Sequence, residues 1–586
     1  MKKTLFKTLC VCMTASLLAI ATAANACTNF LVTKGATTDG STFVTYAADS
    51  HVLYGELYYR AAASFPKGTE FEVIDWDSGR PLGKIKQAEV TYSVVGNMNE
   101  YQLVIGETTY GGVDCLQHCD GIIDYGSLIY ITLQRAKNAR EAIKVMAELV
   151  EEYGYASEGE SFSIADPNEV WIMEMIGKGK PHYDTIKGKP VLNKKWNNGA
   201  VWVARRIPDG YVCAHANQAR ITTFPMEKAS KNSISSKNLK KIFDKDIDVV
   251  YAEDVVEFAR MKGLYKGTDE NFSFSDTYNP LTFSGARACE ARVYAFFNRV
   301  ADNMQQYEKY AMGYDLKNRM HLWIKPNRQL DVHDMMELMR DHYEGTPMDM
   351  TKDVGAGPFK CPYRWRPMGF EVDGIQYIHE RATSTQQTGF SFVAQCRGKF
   401  PRKVGGILWF GVDDTYSTVY CPMFCGITEI PECFREGNGN MVEYSETAAF
   451  WLFNQVSNFC YLRYEDMIKD VRNVQQRLEL EFIDRVRDFS QQYENGAPDN
   501  QEMIQQLNNF SGEMANQMFI QWRDLSHNLL VKYIDGNIKK GNDFNFETTG
   551  TRPGQAAFPE QPKYPEWWYR YIIQNHGSTI KVPEQK

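Results

Sequence analysis

Cys27 follows Ala24-Asn25-Ala26, which puts small residues at the two positions a signal peptidase inspects. Cleavage between Ala26 and Cys27 would give Cys27 a free α-amine, whose ordinary pKa of about 7.7–8.0 suits a base near neutral pH. Nucleophile and base would then share one residue. The amine takes the thiol proton, the thiolate attacks an amide carbonyl, and water hydrolyses the resulting acyl-enzyme. Two other readings stay open on these residues alone. Cys27 could be the acylated first residue of a lipoprotein, although Ala24 and Asn25 fit a lipobox poorly, or a disulfide cysteine near the start of the mature chain.

Other residues of the right types carry weaker signals. His215 could serve as base to Cys27 in a papain-like pair, or be a structural histidine at a strand end. Asp114-Cys115-Leu-Gln-His118-Cys119-Asp120 has zinc-ligand types but lacks a second cluster at usable spacing, and exported cysteine pairs commonly form disulfides. His333, Glu337 and His342 would lie along one helix, where a solvated charged face is the plain reading. We therefore expect no metal and no cofactor.

The compartment follows from the first residues. Lys2, Lys3 and Lys7 precede an apolar run from Leu9 to Ile20, too short for a membrane anchor, so residues 1–26 read as a secretory signal. No later stretch reaches the roughly 18 uninterrupted apolar residues of a spanning helix, and the expectation is an exported protein, periplasmic or extracellular, without a membrane anchor after processing. Loss of three lysines takes the formal charge from −8 to −11, and no basic stripe interleaves with aromatics, which argues against nucleic acid as a partner. Of thirteen cysteines, Cys10 and Cys12 leave with the signal. If Cys27 stays free, ten remain that could form up to five disulfides.

The elements that must position Cys27 begin with a hairpin. Thr28 to Thr33 reads as a strand, Asp39-Gly40 as a turn, and Thr42 onward as a second strand. Segments 90–95, 101–106, 161–166, 169–176, 200–206 and 210–216 are further strand candidates, rich in β-branched and aromatic residues. Asn138, with Glu141 three residues on, predicts a helix start, and Ala142, Val145, Met146 and Leu149 share one face through about Glu151. Later, Val471, Val474, Leu478, Phe482, Val486 and Phe489 recur at helical spacing, as do Met503, Leu507, Phe510, Met514, Met518, Leu525 and Leu529. Two antiparallel amphipathic helices are expected, joined by Asn495-Gly-Ala-Pro498. Chain length exceeds what one core usually supports, so the expected organisation is a large domain over 27–450, a helical extension over 451–541 and an irregular tail over 542–586.

The stretch from Cys27 to Ser41, CTNFLVTKGATTDGS, resembles the opening of the dipeptidase A family of cysteine peptidases, which are similar to cholylglycine hydrolases and penicillin acylases. Agreement continues in order through Gly121–Tyr130, Gly159–Asp166, Val201–Pro208 with Ala216–Arg220, and Gln387–Cys396 with Leu408–Asp414. The resemblance implies an α+β, four-layer αββα N-terminal-nucleophile fold with C-terminal helical additions and Cys27 as nucleophile. It implies an exported cysteine dipeptidase acting on dipeptides or short peptides, with amidases of bile-acid conjugates or acyl-amino acids, or a lipid-anchored protein without catalysis, as alternatives. Asn217 matches an asparagine that donates to the oxyanion in the relatives, against a plain turn asparagine. The relatives read Arg-Asn-x-Asp where this chain has Tyr46-Ala47-Ala48-Asp49: the aspartate is kept, as an orienter of the amine or a turn cap, and the cation is lost. Arg287 and Arg292 lie in a segment comparable to one that supplies an active-site arginine in the relatives, which makes them candidates for substrate binding, against surface ion pairs. The oligomeric state is left open.

Overall fold

The computed structural model describes residues 27–117, 120–180, 183–193, 199–496 and 498–584. The signal-peptide reading, and His118 and Cys119 of the possible zinc motif, lie outside them. The chain is a mixed α+β structure built on two large, almost wholly antiparallel sheets.

One sheet has seven strands in the order Trp323–Ile324, Val212–His215, Asn29–Val32, Thr42–Asp49, Thr388–Cys396, Gly406–Val412 and Cys421–Phe424. The expected hairpin is its centre, with Leu31 opposite Val44 and Asn29 opposite His215. The other sheet has nine strands, and its middle runs Ala200–Arg206, Val170–Gly177, Gly159–Ala165 and Val104–Gly111. Every residue of Thr42–Asp49, Gly159–Ala165 and Val170–Gly177 is buried, as befits strands covered on both faces.

The two sheets face each other across a polar seam. The Thr42 hydroxyl donates to the Asp166 carbonyl at 2.7 Å, and the His215 ring lies between the hydroxyls of Thr108 and Ser163 at 2.8 and 2.7 Å. Side chains alternate along a strand. Asn29 therefore turns into the seam while Phe30 points outward, stacking on Phe296 of the Ala291–Val300 helix with ring centroids 4.2 Å apart. On the far face of the nine-stranded sheet lies the Ala139–Tyr153 helix, begun as expected by Asn138, whose side chain accepts from the Glu141 N–H at 3.0 Å.

The two long helices span Tyr464–Gln491 and Gln501–Tyr533. Arg485 pairs with Glu513, and Lys532 with Asp470, so they run antiparallel. Phe489 and Phe510 seat them on Phe424 at the edge of the seven-stranded sheet. The tail differs from the irregular segment expected: Glu566–Ile580 is helical, with no residue of it buried. Among the described residues no helix is long and apolar enough to cross a membrane.

Candidate active site

Cys27 stands just ahead of the Asn29–Val32 strand, where Thr28 and Ala47 exchange main-chain hydrogen bonds at 3.0 and 3.2 Å. It lines a cavity of about 470 Å³ together with Tyr46, Asp49, Glu107, Thr109 and a wall of aromatic side chains that includes Trp76 and Tyr130. The sulfur is 3.6 Å from the Tyr46 hydroxyl and 3.7 Å from Glu107 Oε1. Tyr46 in turn donates to Glu107 Oε1 at 2.5 Å. Burial, then the charges of Glu107 and Asp49, push the thiol well above its ordinary pKa, while the Asp49 N–H and the Tyr46 hydroxyl pull it back. Such a thiol ionises only with a base beside it.

Glu107 is almost wholly buried, at 2% exposure. Its strand neighbour brings a second carboxyl group next to it: Glu160 lies opposite Thr109, two positions beyond Glu107 on the same face, and accepts from the Thr109 hydroxyl at 2.9 Å. Burial raises the pKa of both carboxyl groups, and the charge of Glu107 raises Glu160 further. Asn29 fixes Glu107 to the nucleophile's strand. With its amide turned so that both ends are satisfied, it accepts from the Glu107 N–H and donates to the Glu107 carbonyl, each at 3.1 Å.

The residues singled out in the sequence are placed as follows. The Asp49 carboxylate lines the cavity but is bound by Arg381 at 2.9 Å and the Thr388 hydroxyl at 2.6 Å. Asn217 adopts a left-handed φ of 60°, and its amide donates to the Thr109 carbonyl at 2.6 Å. Arg292 is fully buried rather than in a surface ion pair. A π-helical turn, Gly285–Glu290, leads into its helix. Its guanidinium donates to the Cys27 carbonyl at 2.7 Å, the Thr28 hydroxyl at 2.8 Å, the Ala216 carbonyl at 3.2 Å and Asn217 Oδ1 at 2.9 Å. Neither Arg292 nor Arg287 lines the cavity, and Arg287 pairs with Glu380 instead. Arg292 therefore joins the Cys27 and Asn217 segments and does not reach into the cavity.

His215 is no partner of Cys27. Both its ring nitrogens are engaged in the inter-sheet seam, and burial followed by the charge of Arg220 lowers its pKa to about 3. The helical cluster is rearranged too: His342 falls beyond its helix and binds Glu344, whereas His333 and Glu337 meet Glu479, their ligand-type atoms within 4.8 Å of one another. Arg340 donates to both glutamates at 2.6 Å and Arg472 to Glu337 at 2.6 and 2.7 Å, so the negative charge there is already neutralised. The ten described cysteines are all free thiols, in contrast to the disulfides the compartment suggested.

Neither Glu107 nor Glu160 is singled out as a site residue by the sequence. Glu107 falls one residue past the strand anticipated over 101–106, which extends over Val104–Gly111. The available signal was an acidic residue inside each of two otherwise apolar or small-residue strands, where burial demands a partner or a function.

A family model described as peptidase family C69 matches residues 26–477. The chain is 20% identical over 462 residues to a probable dipeptidase B of Streptococcus pyogenes serotype M1, covering 74% of this chain and 78% of that one. It is 22% identical over 453 residues to a probable dipeptidase of Latilactobacillus sakei (73% and 79%), and 21% identical over 547 residues to a probable dipeptidase B of Lactococcus lactis subsp. lactis (89% and 98%).

Proposed function

The chain belongs to peptidase family C69, and from that membership we propose that it is an exported cysteine dipeptidase of the N-terminal-nucleophile type, with Cys27 as nucleophile. The observation that carries this reading is the Cys27 thiol in a cavity of about 470 Å³, at the start of a central strand, with no histidine in contact with it among the described residues. Export follows from the signal-like residues 1–26. Facing antiparallel sheets, with helices on their outer faces, support the αββα assignment.

In this mechanism the free α-amine of Cys27 takes the Sγ proton and Sγ attacks the peptide carbonyl carbon. Asn217 is not itself among the residues lining the cavity, but its amide is held on the carbonyl of Thr109, which is, and we assign its other amide hydrogen to the developing oxyanion. The ammonium so formed passes its proton to the leaving amine, the C–N bond breaks and an acyl-enzyme remains. The amine then removes a proton from water, hydroxide attacks the thioester, and the thiol is restored.

Charge in the cavity favours a peptide over a bile-acid conjugate or acyl-amino acid. Asp49 and Glu436 are each paired with an arginine, Arg381 and Arg60, whereas Glu107 and Asp77 have no ion-pair partner among the described residues. A net acidic, aromatic cavity suits an ammonium-bearing ligand.

The decisive experiment compares the mature protein with one in which a non-removable residue precedes Cys27. The extended protein should lack dipeptide turnover and the Cys27 acyl adduct in intact-mass spectra, and should gain both when a protease exposes Cys27. Turnover at the mature rate by the uncleaved protein would refute the amine as base, and a diacylglyceryl-modified Cys27 would identify a lipid anchor instead.

A further inference from the structure

We propose that Glu107 anchors the substrate's α-ammonium group and thereby sets cleavage one residue from the amino terminus. The proposal rests on Cys27 being the nucleophile. It names a subsite that the chemistry at sulfur does not require.

Distance selects this residue. A carbonyl carbon in position for attack stands about 3–3.5 Å from the sulfur. In a peptide with a free amino terminus, the first residue's nitrogen is one carbon further on. A carboxylate oxygen 3.7 Å from the same sulfur is therefore within hydrogen-bonding reach of that nitrogen. A second residue ahead of the scissile bond would replace the ammonium by an amide, which carries no charge for Glu107 to bind.

The anchor is held rigidly. The Asn29 amide clamps the Glu107 main chain two residues after the nucleophile, and the Tyr46 hydroxyl fixes Oε1 at 2.5 Å. Neither Glu107 Oε2 nor Glu160 Oε2 has a hydrogen-bond donor among the described residues, although both are buried. One proton shared between these two carboxyl groups satisfies both oxygens and leaves the pair with a single negative charge. Glu160 is thus a positioning residue behind the anchor.

Electrostatics point the same way. The resemblance implies an arginine where this chain has Tyr46; here the sulfur touches the Tyr46 hydroxyl and the Glu107 carboxylate instead. When Cys27 loses its proton, Oε1 loses the thiol as donor and faces a thiolate of like charge. An ammonium placed between them takes over the vacated hydrogen bond and offsets both charges. Asp77 also lines the cavity, but it is exposed and held by the Tyr125 hydroxyl at 3.0 Å, so water screens it.

The test measures kcat/KM for Ala-Ala and N-acetyl-Ala-Ala with the mature wild type, Glu107→Gln and Asp77→Asn. Wild type should prefer the free dipeptide by about 10²-fold, the scale of a buried charge-assisted hydrogen bond. Glu107→Gln should collapse that preference, because any change through the thiol is common to both substrates while the free dipeptide alone loses the further factor, through KM; Asp77→Asn keeps the preference. Equal losses on both substrates would show that Glu107 serves the enzyme's own amine, and collapse of the preference in Asp77→Asn would move the anchor there. Either result overturns the proposal. If Glu107→Gln does not fold, wild type and Asp77→Asn decide: alaninamide must inhibit at least tenfold better than propionamide in both. The acyl adduct on Cys27 is read separately by intact mass, so failure of the nucleophile and failure of the anchor give different results.

Discussion

Arg292 and Cys27, 265 residues apart in the chain, are joined by a 2.7 Å hydrogen bond from the guanidinium to the main-chain oxygen of the nucleophile. The same guanidinium holds Asn217, so one buried cation aligns the attacking group with the proposed oxyanion donor. Arg292→Met would strand several buried acceptors and should cost about 3 kcal/mol or more of stability. Arg292→Lys keeps the charge but not the fork. It should fold better than Arg292→Met and still turn over at least tenfold more slowly than wild type, as chemical denaturation and steady-state kinetics would show. Wild-type turnover in Arg292→Lys would refute an aligning role.

Asn217→Ala should lower kcat by about 10²–10³ with a smaller effect on substrate affinity if its free amide hydrogen meets the oxyanion. Its left-handed backbone adds a separate stability cost for alanine. Asn217→Gly removes that cost and keeps the catalytic loss. Recovery of turnover in the glycine variant would leave Asn217 a backbone role only.

The thiol's neighbours act on it in opposite directions, which gives a paired prediction. The Glu107 charge raises the Cys27 pKa and the Tyr46 hydroxyl lowers it. Glu107→Gln should therefore move the pH profile of iodoacetamide alkylation to lower pH, and Tyr46→Phe to higher pH. Burial, the largest cause, is common to all three proteins and does not affect the signs. The phenyl ring keeps its edge contacts with Phe390 and Phe392, so Tyr46→Phe should fold. Shifts of the same sign in both variants would contradict this arrangement.

Local signals in the sequence were legible and long-range ones were not. The hairpin after Cys27, the Asn138 cap and the two long amphipathic helices follow from side-chain periodicity and turn chemistry acting over a few residues. The Glu566–Ile580 helix was missed because it buries no side chain, so no apolar stripe marks it. Within the candidate site, Cys27 and Asp49 could be picked out from motif position. Glu107, Glu160 and the burial of Arg292 could not, since they depend on how strands and helices far apart in the chain meet. His215 shows the converse: its residue type suggested chemistry, but both ring nitrogens are occupied by hydroxyls that only the stacking of two sheets brings together.

That burial of His215 makes a prediction about acid stability. Burial and Arg220 lower its pKa from 6.5 to about 3, so the folded ring stays neutral while the unfolded ring gains a proton below pH 6.5. The unfolded state then binds more protons, and the contribution of His215 to stability is present above pH 6.5 and lost as pH falls toward 3. One such group loses about 2.5 kcal/mol between pH 6 and pH 4. Buried carboxyl groups oppose this trend. Glu174, raised by burial to about 7, holds a proton in the folded state that the unfolded chain releases above about pH 4.5, so its effect has the opposite sign. The measurement is therefore a difference: unfolding free energy by urea at pH 6 and pH 4 for wild type and for His215→Gln, which can still hydrogen-bond but has no proton to gain. The carboxyl contributions cancel between the two proteins. His215→Gln should be less stable at pH 6 and lose about 2.5 kcal/mol less than wild type on acidification. Parallel losses in the two proteins would mean that His215 takes up its proton within the folded seam, and the neutral, purely structural assignment would fall.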